Sequence, residues 1–326
     1  MSRQKRAALW GMGVLLGFSS GALSAADLSR HAREKLAQEA ESFYKEGNYG
    51  AAREKWSAAL RGGATRAETR RWRPELGRTY EAEGNYQKAL AAYQEAFDID
   101  ANNVDRLVDL ARLYDAVEID DQAIRFYADA HERNRSRRDV SLALARLYKE
   151  AGRLVEARVL AESAVHAEPR DYSAQKLMAE IEEAQGALAD AAKRRETVLA
   201  QHPTGAGYMT LGRLWAKQGA FEQADVAFVR AVGEGVGGAE PIFERAVLAW
   251  RQGDPARARR FLDELTGLDP EFFPAGFLKI VLDVDAHDEK GARRQLGRLN
   301  APDPGTQQWK DVLETAMSAR AAGGKP

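Results

Sequence analysis

Small residues recur at fixed points with a single spacing along most of this chain, and that recurrence limits the folds open to it more than any other feature. One column holds Ala52, Ala89, Ala123, Ala157, Ala191, Ala224 and Ala258, at steps of 37, 34, 34, 34, 33 and 34 residues. A second, twelve residues earlier, holds Ala40, Gly77, Ala111, Ala145, Ala179, Gly212 and Ala246. Between them lies a third, Gly47, Gly84, Glu118, Gly152, Gly186, Gly219 and Gly253, in which Gly takes six of seven places. Small residues on either side of a glycine describe two closely packed helices joined by a turn whose central residue needs a positive φ. The repeating unit is therefore an αα-hairpin, and a period near 34 residues means an array of them.

Large side chains fill the remaining columns at helical spacing. Phe43, Tyr80, Tyr114, Tyr148 and Trp215 stand three residues after the earlier small column, and Trp56, Tyr93, Tyr127 and Phe228 stand four after the later one. Each ring is one turn from a small residue on the same helical face, where it fills the space the small residue opens. The stripe reads as a core face and not as a ligand-stacking ladder.

The run Leu76-Gly77-Arg78-Thr79-Tyr80, continued through Gly84, Tyr86, Ala89, Tyr93 and Ala96, resembles the tetratricopeptide repeat (TPR) at every signature point. Leu211, Gly212, Trp215, Gly219, Phe221, Ala224, Phe228 and Ala231 repeat the pattern, and Pro169, Pro203 and Pro270 stand where such repeats close. The resemblance implies an all-α fold, a right-handed solenoid of αα-hairpins, with about seven to eight repeats between residues 27 and 300. Seven run from about residue 33 to 271, and a degenerate eighth carries Ala292, Leu296 and Leu299 on its second helix. Stacked hairpins touch only their neighbours, so the first helices form the concave face of a curved array.

Two interruptions stand out. Three extra residues fall near Gly62-Gly63-Ala64-Thr65, followed by the basic run Arg66, Arg70, Arg71, Arg73 and Arg78. Repeat five places Glu182 and Arg195 where its neighbours have aromatics, which predicts a pair across its two helices, or outward-turned side chains, and in either case weaker packing. Beyond the array, 301–326 divides into a Pro-Gly linker, a capping helix over 306–320 with Thr306 as N-cap, and a short tail. Trp309, Val312, Leu313 and Ala316 form its apolar stripe, with Trp309 and Leu313 expected to dock on the last repeat.

Ahead of the array, Arg3, Lys5 and Arg6 precede the uncharged stretch Ala7 to Phe18 and the small residues Ser19 to Ala26, the tripartite pattern of a secretory signal over residues 1–26. Small residues at minus three and minus one suit cleavage after Ser24 or Ala26; an uncleaved N-terminal anchor is the alternative. Either places the chain outside the cytoplasm, in the periplasm of a Gram-negative-type envelope. Absence of Cys removes disulfides, Cys-ligated zinc, thiol nucleophiles and a lipidated N-terminal Cys. The 48 basic and 49 acidic residues nearly cancel, which argues against nucleic acid as a partner, and the mean hydropathy of -0.50 excludes a polytopic membrane protein, leaving no integral span after signal cleavage.

Catalytic chemistry is not legible. His131, His166 and His202 fall near the ends of second helices, where capping explains them, and His287 lies in the turn of the eighth repeat. None forms a metal-binding pair, no phosphate loop or nucleophile elbow is present, and Gly233 to Gly238 follows a helix as an inter-repeat linker. Asp120 and Asp121 fall on a predicted turn with no facing pair. No catalytic residue, cofactor or metal is therefore assigned. The family resemblance implies a scaffold that binds a protein or peptide in its groove, and envelope relatives serve outer-membrane assembly, pilus biogenesis or exopolysaccharide secretion, where direct contact with an acidic polysaccharide is the alternative. The family's carboxylate clamp of Lys and Asn is missing, its places being held by Ala37, Glu41 and Glu75. Arg78, Arg112, Arg146 and Arg213 follow the earlier small column at steps of 34, 34 and 67, forming the candidate partner-binding ladder, with Glu75, Asp105, Asp109 and Asp115 near enough in sequence to neutralise it.

Overall fold

A computed structural model describes residues 28–299 and 304–321. Among them every regular element is a helix, and the chain divides into two compact units, one ending at Pro169 and one beginning at Arg170. Residues 1–26, expected to be a signal segment, the linker residues 301–303 and the tail 322–326 lie outside the described residues.

The first unit holds four hairpins: α1 (Arg30–Lys45) with α2 (Tyr49–Arg61), α3 (Arg66–Ala82) with α4 (Tyr86–Ile99), α5 (Val104–Ala116) with α6 (Asp120–Arg133), and α7 (Arg138–Glu150) with α8 (Leu154–Ala167). The second holds four more: α9 (Tyr172–Ala184) with α10 (Leu188–Gln201), α11 (Gly205–Lys217) with α12 (Phe221–Gly233), α13 (Ala239–Arg251) with α14 (Pro255–Leu268), and α15 (Phe273–Asp285) with α16 (Glu289–Arg298). A last helix, α17 (Pro304–Ala321), follows. Within each unit a helix packs on its hairpin partner and, from its other side, on the next repeat. The fold is the expected array of αα-hairpins.

The turns obey the glycine column. Gly47 has φ 77°, its N–H donates to Tyr44 O at 3.0 Å, and the next N–H, of Asn48, reaches back to Phe43 O at 2.8 Å. That pairing satisfies the carbonyls a helix end leaves bare. Asn48 then caps α2 through its side chain, as Asn85 caps α4. The one column member that is not glycine, Glu118, adopts φ 60° all the same, and His287 takes φ 58° in the eighth repeat.

The small columns are close contacts between helices. A Cβ at Gly77 would lie 2.6 Å from the Tyr93 ring, and one at Gly212 would lie 2.5 Å from the Phe228 ring. The ring therefore fills space opened by the partner helix of its hairpin. Ala52, Ala89, Ala123, Ala157, Ala191, Ala224 and Ala258 are all fully buried.

The three-residue insertion is structured. Leu28 N donates to Gly62 O at 2.9 Å, and the Leu28 side chain occupies the space a Cβ at Gly62 would need. Thr65 and Glu68 form a reciprocal cap on α3, and buried Glu68 also receives Arg33 on both oxygens at 3.1 and 3.2 Å. Pro74 lies inside α3, where it has no N–H to give to Arg70 O. That carbonyl instead accepts from Arg106 Nη2 of the following repeat, at 3.5 Å.

Three expectations are corrected. Asp120 and Asp121 form the first turn of α6, where helix-dipole attraction favours carboxylates. Buried Glu182 pairs with Arg194, at 2.8 and 2.9 Å, and not with Arg195, which sits one residue further around the helix and reaches Glu183 at 3.4 Å. At the end of the chain α17 begins at Pro304, so Thr306 is inside it. Leu313 and Met317 pack against Ile280, Ala292 and Leu296, but Trp309 stays 59% exposed, touching the Phe277 ring edge-on at 6.3 Å.

Candidate partner-binding surface

Within each unit first helices of neighbouring repeats come into contact, as α3 does with α5 and α13 with α15. Side chains that follow the small column consequently face the corresponding helix of the adjacent repeat. In the first unit this aligns Arg78, Arg112 and Arg146, and each finds carboxylates there.

Arg78 donates to Glu75 at 2.7 Å on its own helix and to Asp109 at 3.4 Å on the next first helix. Asp109, only 3% exposed, also receives Arg106 at 3.0 Å and has Arg112 at 3.7 Å. Arg112 reaches back to Glu81 at 3.2 Å and donates to the Tyr93 hydroxyl at 3.3 Å, while that hydroxyl donates to Glu81 at 2.7 Å. Burial and then the Glu81 charge push the Tyr93 phenol well above its ordinary range, so it remains a donor. Arg146 bonds Asp115 of the preceding repeat and Glu150 of its own, the latter at 3.1 Å. Burial raises the Asp115 carboxyl above its usual value, and Arg146 offsets part of that rise.

Arg213, in the second unit, is held likewise. Its Nε donates to Glu244 at 2.6 Å and its Nη2 to Glu240 at 2.5 Å, both on the first helix of the next repeat. Burial opposes the charge on all four guanidinium groups, but the facing carboxylates outweigh it and hold their pKa values above the ordinary arginine value. Three of the four acids anticipated near the ladder join it; Asp105 is taken by Arg137 at 2.7 Å. The arginines thus tie adjacent repeats together while remaining 36, 46, 38 and 43% exposed at the side chain, in chain order. Exposed pairs of this kind are each worth roughly 0–1 kcal/mol.

The sequence reading missed a change in character further along. On α13 and α15, Phe243, Val247, Phe277 and Val281 take the places held by Val108, Arg112, Leu142 and Arg146 on α5 and α7. Trp250 on α13, 37% exposed, donates its indole N–H to Asp285 at 3.0 Å. The step of 34 from Phe243 to Phe277 was a usable signal.

The histidines have local roles. His131 and His166 lie in the last turns of α6 and α8, His131 Nδ1 being 3.1 Å from Ser141 Oγ. Desolvation and then Arg135 hold the His131 pKa below its usual value. His202 follows α10 and meets the Tyr172 ring edge-on at 5.0 Å. Among the described residues no three His, Asp or Glu side chains gather as metal ligands would, and no helix is long and apolar enough to cross a membrane.

Models of the tetratricopeptide repeat match residues 37–104 and 121–181. A tetratricopeptide repeat protein from Parabacteroides merdae aligns with 73% of this chain and 94% of its own, at 18% identity and a TM-score of 0.58. PilW, a widely conserved type IV pilus biogenesis factor, aligns over 65% of this chain and 98% of its own at 18% identity and a TM-score of 0.53. For Pseudomonas aeruginosa PilF the figures are 65%, 97%, 19% and 0.51. At these identities the likeness concerns the fold. No curated protein matches the sequence.

Proposed function

The chain is a tetratricopeptide repeat protein, and on that premise we propose that it is a non-enzymatic scaffold of the bacterial envelope that holds a polypeptide against its first-helix wall. The observation that carries this reading is the row of partly exposed guanidinium groups at Arg78, Arg112 and Arg146 alternating with the carboxylates of buried Asp109 and of Glu81 and Glu150. A polypeptide presents both acceptors and donors along its length and can use both signs of that row. An acidic polysaccharide would meet Glu81 and Glu150 together with Arg112 and Arg146, so the polypeptide is the better match. The pilus role of PilW belongs to that protein, and no pathway is assigned here.

Export rests on residues 1–26: the periplasm is the proposed location, with the mature chain beginning between Ala25 and Asp27. N-terminal sequencing of envelope-purified protein tests it, and an intact Met1 or Ser2 would support the anchored form. For the wall, photo-crosslinkers at Arg112 and at Val159, on the outer helix α8, are compared in cells. The expected result is one polypeptide captured at Arg112 and absent at Val159. Replacing both Arg112 and Arg146 by Gln should weaken that capture and flatten its salt dependence with helicity unchanged; the same capture and salt response would move the binding surface elsewhere.

A further inference from the structure

We propose that a recess in the second unit receives a glutamate side chain of the partner polypeptide. The proposal rests on the scaffold reading and names what the partner must carry. It begins with two departures from the repeat pattern at facing positions. Repeat five puts Arg195 where Trp56, Tyr93 and Phe228 stand in other repeats, and repeat six opens α11 with Gly205-Ala206-Gly207, where repeats three and seven have Val104-Asp105-Arg106 and Ala239-Glu240-Pro241. A ring is lost from the floor, and at the start of α11 the places a Cβ would take at Gly205 and Gly207 are filled by Val236 and by Leu199 and Thr204. What remains between α9, α10 and α11 is a recess of about 240 Å³.

Its chemistry is cationic at the polar end and apolar on the side. Lys176 and Arg195 line it together with Val198, Leu199 and the Tyr172 ring. Lys176 has no hydrogen-bonding or ionic partner among the described residues. Arg195 is under-used: its side chain is 14% exposed, its Nε has no acceptor, and its one carboxylate, Glu183 at 3.4 Å, is shared with Lys217 at 3.3 Å. The adjacent Arg194 is fully engaged by Glu182 and Gln175, so it does not compete for a ligand. Glu180 also borders the recess and is itself engaged.

The spare donors decide which anion fits. Of the three hydroxyls on residues that line it, Thr204 Oγ already accepts from Gly207 N at 3.2 Å, Thr210 Oγ already donates to Ala206 O at 3.0 Å, and the Tyr172 phenol is the third. A sugar acid would bring several hydroxyls to a site with few groups left to pair them, and unpaired buried hydroxyls are costly. A glutamate brings a short methylene stem for Val198 and Leu199 and a carboxylate for the guanidinium fork and the ammonium. The start of α11 adds the positive end of a helix dipole on the same side.

The test titrates the ¹⁵N-labelled mature protein with acetyl-glutamate amide, acetyl-glutamine amide, glucuronate and inorganic phosphate, following backbone amides by NMR. Saturable shifts of Gly205, Ala206 and Gly207 are expected with the glutamate probe, and binding weaker by about tenfold or more with its neutral isostere. Arg195→Gln and Lys176→Gln should each weaken the glutamate probe with circular dichroism unchanged. Equal response to both amides, no saturable shift, or tighter binding of glucuronate or phosphate would overturn the proposal. Failure here leaves the crosslinking result at Arg112 standing, and failure there leaves this titration standing, so the two readings fail separately.

Discussion

A methyl group added at Gly77 would have to displace a fully buried tyrosine ring whose hydroxyl is already committed to Glu81 and Arg112, so the ring has nowhere to go without breaking that network. Gly77→Ala should therefore destabilise by about 1–3 kcal/mol despite alanine's better helix propensity. Urea denaturation measures it, and adding Tyr93→Leu should recover part of the loss; a stability equal to that of the parent would show the ring to be free to move. The two columns were legible in the sequence, because small and aromatic residues keep one phase, but the reading set Tyr93 against Ala89 of its own helix and not against Gly77. What the columns left open was which helix each ring meets, since spacing along a helix fixes a face and not the neighbour opposite it. Arg78, Arg112, Arg146 and Arg213 were legible in the same way as positions. Their partners, lying about one repeat away, emerged only when the first helices were seen to touch.

In the α9–α10 hairpin the sequence located an anomaly and named the wrong arginine for Glu182. Glu182 and an arginine do pair across the two helices, but through Arg194, and the pair is bidentate, buried at the carboxylate and supported by Gln175. One residue around a helix is about 100°, enough to exchange a carboxylate-facing side chain for one that borders a recess. The two arginines should behave differently on substitution. Arg194→Gln strands Glu182 and should cost about 3–5 kcal/mol, whereas Arg195→Gln removes one long contact and should cost well under half of that. Thermal denaturation of the two variants compares them, and equal losses would contradict the assignment. At α17 the amphipathic stripe predicted the docked side, Leu313, correctly. It placed Trp309 there too, and the wide indole instead remains mostly in solvent against Phe277.

Over the whole molecule, each unit has cores of its own. Leu262, fully buried, packs with Ile242, Ala246, Leu265, Leu278 and Leu282 in the second unit, and Leu107, Leu144 and Leu147 do the same in the first. Stability in such arrays is set by nearest-neighbour contacts, so damage should stay local. Leu262→Ala should cost about 2–5 kcal/mol and speed amide exchange through α13 to α16, with α1 to α8 unaffected. Uniform acceleration along the chain would indicate a single cooperative body. The period revealed the hairpins but gave no sign of a division at Pro169, because the columns run through it without a change of step. The Arg70 carbonyl released by Pro74 sets an order in time. A chain made N-terminus first completes α3 before it has Arg106, 36 residues later, to cover that oxygen. The second hairpin therefore leaves synthesis with one backbone acceptor still facing water, and the third hairpin supplies its donor.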